Sequence, residues 1–171
     1  MIKIKIISLV GAIIIPVVAG CASNPLALAT VGPQPGRPAA PGLQGSVQVF
    51  SATQTSNPIG DIGSASYFHP HSGYQIKAAS GQPVRFVFNH ASDMDEWPDL
   101  VNLPPGHYQI EAQSACCGLV SVPVVIENGR TTVVHLDRNW SAPSHTPANQ
   151  VVFLPNGESV GWSGSVADSG Q

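Results

Sequence analysis

The side chains of this sequence that could do chemistry fall into a few small groups. In "FHPH", His69 and His71 stand two residues apart, and on an extended strand that spacing puts both imidazoles on one face, as a metal ion would require. His90, at the head of "NHASDMDEWPD", could join them with Asp93, Asp95 or Glu96, and Pro70 between the histidines points to an edge strand with an accessible face. The acidic run from Asp93 to Asp99 around Trp97 lacks the ligand spacing and the turn glycine of an EF-hand, and reads instead as a solvated loop with Trp97 folded back onto the domain. Cys116 and Cys117 are adjacent in "SACCGLV". Two arrangements are compatible with them: a vicinal disulfide in a strained eight-membered ring, eased by Gly118, or two separate thiols on opposite faces of a strand. Ser, His and Asp all occur, but no Gly-x-Ser-x-Gly elbow does, and "GWSGS" stands in a terminal hairpin without a strand-to-helix context. There is no CxxC zinc pattern. The reading is non-enzymatic, with no cofactor.

The third cysteine has a different setting. Lys3 and Lys5 precede a largely apolar stretch over 6–18 that contains Gly11 and Pro16, which is the layout of a secretory signal peptide. A spanning helix needs roughly 20 consecutive apolar residues, so this stretch makes a poor permanent anchor. Val18-Ala19-Gly20-Cys21 resembles the lipobox of bacterial lipoproteins at every position. The resemblance implies cleavage before Cys21, acylation of that residue, and a mature chain tethered to a membrane by lipid. Each buried acyl methylene contributes about 0.8 kcal/mol, so a multiply acylated terminus stays in the bilayer. Ala22 stands where enterobacterial inner-membrane lipoproteins carry aspartate, which points to the outer membrane of the bacterial cell envelope.

Composition narrows the partners. Without residues 1–20 the chain keeps Arg37, Lys77, Arg85, Arg130 and Arg138 against ten acids, a weakly acidic balance that excludes a basic nucleic-acid surface. The low content of charged residues leaves a surface of Ser, Thr, Asn, Gln and His, which suits an extracytoplasmic β protein.

These groups need a scaffold. Residues 22–43 carry five prolines, three glycines and one charge without hydrophobic period, and read as a polyproline-like linker. At about 3.1 Å per residue such a linker reaches several tens of Å. From Gln44 on, short alternating runs predict strands near 45–53, 65–78, 83–90, 106–114, 119–127 and 130–137, and no apolar period of a helix persists. Gly81 is expected to turn one pair and Asn128-Gly129 another, the latter being the strongest hairpin signal present. Alternation places Tyr108, Ile110 and Ala112 on one side of their strand, and Val122, Val124 and Ile126 inward with Thr132, Val134 and Leu136. A further hairpin on Pro155-Asn156-Gly157 is expected either at the sheet edge or with Trp162 over one end.

"LPPGHYQIEAQSACCGLVSVPVVIENGRTTVVHLD", residues 103–137, resembles the carboxypeptidase regulatory-like, or transthyretin-like, accessory domains. Leu103, Pro104, Pro105, Gly106, Tyr108, Gly129, Thr132 and Val134 carry the likeness. It implies an antiparallel β-sandwich of about seven strands, and no chemistry. A terminal Tyr-Arg-Gly-Ser, which the hydroxyisourate hydrolases of that group would have, is absent.

The expected organisation is a signal peptide (1–20), a lipidated cysteine and Pro-rich linker (21–43), an all-β sandwich (44–138), a loop and C-terminal hairpin (139–163), and a tail (164–171). The expected function is a lipid-anchored binding or structural accessory module that engages an envelope protein or glycan. The alternative is a periplasmic metal-binding lipoprotein using the His69/His71 face.

Overall fold

Valine, isoleucine and threonine at every second position favour extended backbone, because branched Cβ atoms pack well on a pleated surface. The computed structural model describes residues 24–56 and 67–164, so the signal peptide and Cys21 lie outside the described residues. Eleven strands form among them: β1 (Leu26–Ala27), β2 (Val31–Gly32), β3 (Gly45–Phe50), β4 (Tyr74–Ala78), β5 (Pro83–Val87), β6 (Leu100–Leu103), β7 (Gly106–Ser114), β8 (Gly118–Ile126), β9 (Thr131–His135), β10 (Val151–Phe153) and β11 (Ser159–Ser163). The only helical element among the described residues is one 3-10 turn, Ala148–Gln150.

The strands make an all-β sandwich. The larger sheet runs β10-β11-β2-β8-β7-β4-β5, with β1 also on β8, and the smaller runs β6-β3-β9. Pairing is antiparallel except where β3 meets β9 and where β1 and β2 meet β8. The inner faces meet in a core of Val47, Val49, Ile76, Ile110, Val122, Val124, Val134 and Leu136 with their neighbours, all essentially inaccessible to solvent. Each such side chain contributes about 1.5–3 kcal/mol relative to exposure. The inward set expected for residues 122–136 is the buried one. Tyr108 packs on the core edge, its hydroxyl donating to the Pro104 carbonyl at 3.1 Å.

Three expectations need correction. First, Asn128-Gly129 is not a hairpin. β8 ends in the large sheet and β9 begins in the small one, parallel to β3, so the turn is a corner between sheets. Gly129 has φ 66°, as the turn chemistry requires, but its amide donates to the Gln44 carbonyl and its carbonyl accepts from the Ala40 amide. A Cβ there would overlap the Ala40 carbonyl. The 40–44 segment thus takes the bonding positions that a hairpin partner would have filled.

Second, the residues read as a free linker are fastened to the domain from Leu26 onward. β1 and β2 lie along β8, Val31 is fully buried, and Trp162 and Ser163 of β11 pair with Gly32 and Val31. Val31 enters the core and Leu28 packs against it. Prolines cannot donate to a ladder but do not prevent two-residue strands between them. The C-terminal hairpin therefore extends the sheet through β2.

Third, the strand expected at 65–78 is confined to β4. Residues 67–71 make only isolated bridges, Ser56 to Phe68 and Thr53 to His71, while 65 and 66 lie outside the described residues. The Gly81 turn does join β4 to β5, and β6 is a strand that the alternation reading did not include.

Strand direction gives the sandwich two distinct ends. β3 and β9 finish, β4 begins and the β7–β8 turn falls at the same end, since Ala52 donates to Gln113 and Ala115 to Leu136. Residues 51–56 and 67–73, the connection 88–99 and the segment after Leu136 gather there. Asn89 ties them together: fully buried with φ 70°, it donates from Nδ2 to the Val49 carbonyl and Ser51 Oγ, and its Oδ1 accepts from the Asp99 amide.

Candidate functional site

The outer face of the small sheet is set by the parallel register of β3 on β9. Ser46 lies opposite Thr131, Gln48 opposite Val133 and Phe50 opposite His135, while the alternate residues go to the core. Ser46 and Thr131 share a hydroxyl hydrogen bond of 2.8 Å that fixes the start of this register. At its end the rings of Phe50 and His135 stack, centroids 4.6 Å apart and planes within 19°. Trp140, on the chain just after β9, covers the other face of His135 at 5.0 Å and 8°, and Trp162 of β11 meets Trp140 edge-on at 6.0 Å. His71 and Trp97 approach Phe50 edge-on at 5.5 and 6.5 Å. A ladder of rings thus crosses the face with His135 in its middle.

Two clefts flank that ladder. The first, about 300 Å³, lies between the 33–40 segment and the sheet, with Trp140, Trp162, Val133 and His135 as its apolar wall and Gln34, Arg37, Arg130 and Thr131 as polar groups. Arg130 is oriented by Glu127 Oε2 at 2.6 Å and by the Gln34 carbonyl, so one end of the cleft carries a fixed guanidinium. The second, about 340 Å³, opens at the loop-rich end between Phe50, His71, Trp97, His135, Glu96, Asp137 and Asn139. An apolar wall with a few convergent polar groups is the usual make-up of a small-ligand site.

The middle rung of the ladder, His135, is uncharged. Burial pushes His135 down to about 4, helped by His71 and opposed by Asp137, so the imidazole is uncharged at neutral pH. Its Nδ1 lies 3.9 Å from Asp137 Oδ1, too far for a hydrogen bond, and has no other partner. Asp137 is instead engaged by the Asn139 amide nitrogens at 3.3 and 2.9 Å.

The residues expected to bind metal do not converge. His71 is buried, with Nδ1 donating to the Ser51 carbonyl at 2.6 Å. His69 is exposed and contributes its backbone amide to Glu96 Oε1 at 2.7 Å, while His90 Nδ1 contacts the Ser92 carbonyl at 3.1 Å. The two "FHPH" histidines share no accessible face because this segment leaves the strand conformation that the two-residue period assumed. Among the described residues no group of three or more His, Cys, Asp or Glu side chains is placed to hold a metal ion. Cys116 and Cys117 form a vicinal disulfide at the β7–β8 turn, beside Gly118 with φ 72°. Trp97 reaches Phe50 but stays 73% exposed, less folded back than its setting suggested.

His135, Trp140 and Trp162 were not singled out as ligand-facing by the spacing arguments above. The signal was in "VVHLD": His135 is the outward residue of a strand whose other neighbours are hydrophobic or Thr, with a tryptophan five positions on. Pairing with Phe50 turns that into a site.

Fold and site define the chain as a two-sheet β-sandwich with ring-lined clefts on one outer face. No protein-family model, curated protein or solved structure matches it. No helix among the described residues is long and apolar enough to cross a membrane.

Proposed function

We propose that this protein is a lipid-anchored, non-enzymatic accessory module of the bacterial envelope, held by Cys21 and binding an envelope glycan in the cleft walled by Trp140 and Trp162. The lipobox likeness of Val18-Ala19-Gly20-Cys21 supports the anchor, and the likeness of residues 103–137 to carboxypeptidase regulatory-like domains supports an accessory role. The observation that carries the ligand is the ladder Phe50–His135–Trp140–Trp162 beside Arg37, Arg130, Gln34 and Thr131. Sugar rings present apolar C–H faces to aromatic rings and hydroxyls to forked donors and amides, and this lining offers both.

Two measurements test it. Radiolabelled palmitate should enter the wild-type chain and be absent from Cys21→Ser, whereas equal labelling would remove the anchor. Tryptophan emission should saturate on titration with soluble peptidoglycan or lipopolysaccharide-core oligosaccharides, and lose that response in Trp140→Ala. A flat titration across both glycans would overturn the ligand assignment.

A further inference from the structure

The chain leaves very little distance between the acylated residue and the folded domain. Leu26 already pairs with Val120 in the large sheet, and Asn24 is the first described residue. From Cys21 to Asn24 the covalent chain spans at most about 10 Å when fully extended. The lipid headgroup region alone is several Å deep on each side of the hydrocarbon. The prolines that promised reach lie beyond this point, and the chain at Leu26, Leu28, Val31 and Ala40 is hydrogen-bonded or buried along the sandwich. A domain anchored through Cys21 therefore has no spacer.

The end that the anchor holds down is also defined. β1 runs parallel to β8, entering beside Gly118 and the disulfide turn, so the tether emerges at the loop-rich end. Several of the exposed large apolar side chains stand at the same end: Phe88 and Trp97 at 73% and Met94 at 53% on the 88–99 loop, with Leu119 and Leu26 beside the tether. Single exposed apolar residues are ordinary, but several on one loop at the end that a membrane tether holds down are placed to meet the bilayer. The loop that carries three of them is pinned. Asn89 Oδ1 accepts from the Asp99 amide across its base, and Asp95 accepts from the amides of Trp97 and Ala91 at 3.0 and 3.1 Å. Met94 and Trp97 are thus held outward at little further entropic cost.

We infer that this end of the sandwich docks on the bilayer surface, with Phe88, Met94 and Trp97 seated at the headgroup level of a zwitterionic lipid leaflet. Tryptophan is the residue best suited to that depth, being apolar in its body and polar at one edge. Asp93, Asp95, Glu96 and Asp99 share the loop, so anionic headgroups are disfavoured and phosphatidylethanolamine-rich surfaces preferred. The clefts differ in consequence: the one walled by Trp140 and Trp162 runs back toward the Gly129 corner and stays open, while the one lined by Trp97 opens at the lipid surface. The inference rests on the proposed acylation of Cys21.

The test uses the full-length protein purified from bacterial membranes and reconstituted into phosphatidylethanolamine vesicles with brominated acyl chains. Carrying Trp140→Phe and Trp162→Phe leaves Trp97 as the single tryptophan. Mass spectrometry of the N-terminal peptide is read on the same sample. Acylated protein in which bromine removes more than half of the Trp97 emission, with emission recovering when phosphatidylglycerol is added at low salt, is the expected result. Acylated, vesicle-bound protein whose Trp97 emission is untouched by bromine overturns the docking surface and leaves the anchor standing. An unmodified Cys21 overturns the anchor and the docking together.

Discussion

Phe50 and His135 occupy directly opposed positions of the parallel β3–β9 pair and stack with centroids 4.6 Å apart, although they come from opposite halves of the chain. That pair is the centre of the ring ladder, and Trp140 closes the far face of His135.

The ladder's outer rungs can be removed without touching the core. Trp140→Ala and Trp162→Ala are each expected to weaken saccharide binding by about tenfold or more, equivalent to roughly 1.4 kcal/mol, since base-rate values for exposed aromatic contacts are of that order. Isothermal titration with the best oligosaccharide checks this, and near-UV circular dichroism should report an otherwise native domain. Loss of the fold in both variants would instead make the tryptophans structural.

The buried imidazole gives a pH dependence whose sign is fixed. His135 binds its proton less tightly in the folded protein than its ordinary 6.5, because burial penalises the charged ring. The unfolded chain therefore takes up the proton first, and folding stability falls as pH drops from about 6.5 toward about 4, with no contribution above that window. The difference in melting temperature between wild type and His135→Phe should shrink or reverse over this range. Parallel pH profiles for the two proteins would show that His135 is not desolvated.

Asn89 is expected to be the most costly polar substitution. Its side chain holds Val49 and Ser51, Ser72, and Asp99, so removing it strands hydrogen-bonding groups on three segments. Asn89→Gly keeps the positive φ and isolates the hydrogen bonds; a loss of about 2–4 kcal/mol in urea unfolding is expected. A change under about 0.5 kcal/mol would mean that water replaces the amide.

Tyr74 points the other way. Its ring is buried in the core and its hydroxyl has no hydrogen-bond partner, and burial, with Asp99 adding to it, raises its ionisation well above the usual phenol range. Tyr74→Phe removes an unpaired buried hydroxyl and should leave stability unchanged or raise it by about 1 kcal/mol. A clear loss of stability in the same unfolding assay would reveal a partner for that oxygen.

Much of this architecture is legible in the chain before folding. Residues 106–114 alternate, and 118–126 repeat Val120, Val122, Val124 and Ile126 on one face; they are the two longest strands, because a two-residue period with one apolar face has no other good burial. Gly81 and Gly157 mark real reversals, as their positive φ values show. "FHPH" misled because the period argument holds only where a ladder continues, and here the bridges are isolated. The 22–43 segment misled because proline content speaks against long strands but is silent about two-residue ones that pair with the edge of an existing strand such as β8.

The sequence by itself determined the class of secondary structure, the inward and outward residues of each long strand, and the places where the chain turns. These are local properties, set by Cβ branching, side-chain period and the φ values that glycine and asparagine tolerate. Tertiary structure alone decided which sheet β9 would join, that Leu26 to Val31 would pair along β8 and link the C-terminal hairpin to the large sheet, and that Phe50, His135, Trp140 and Trp162 would meet. Those outcomes depend on which distant segment reaches each free edge and fills its hydrogen bonds, and a turn signal such as Asn128-Gly129 specifies a reversal without naming its partner.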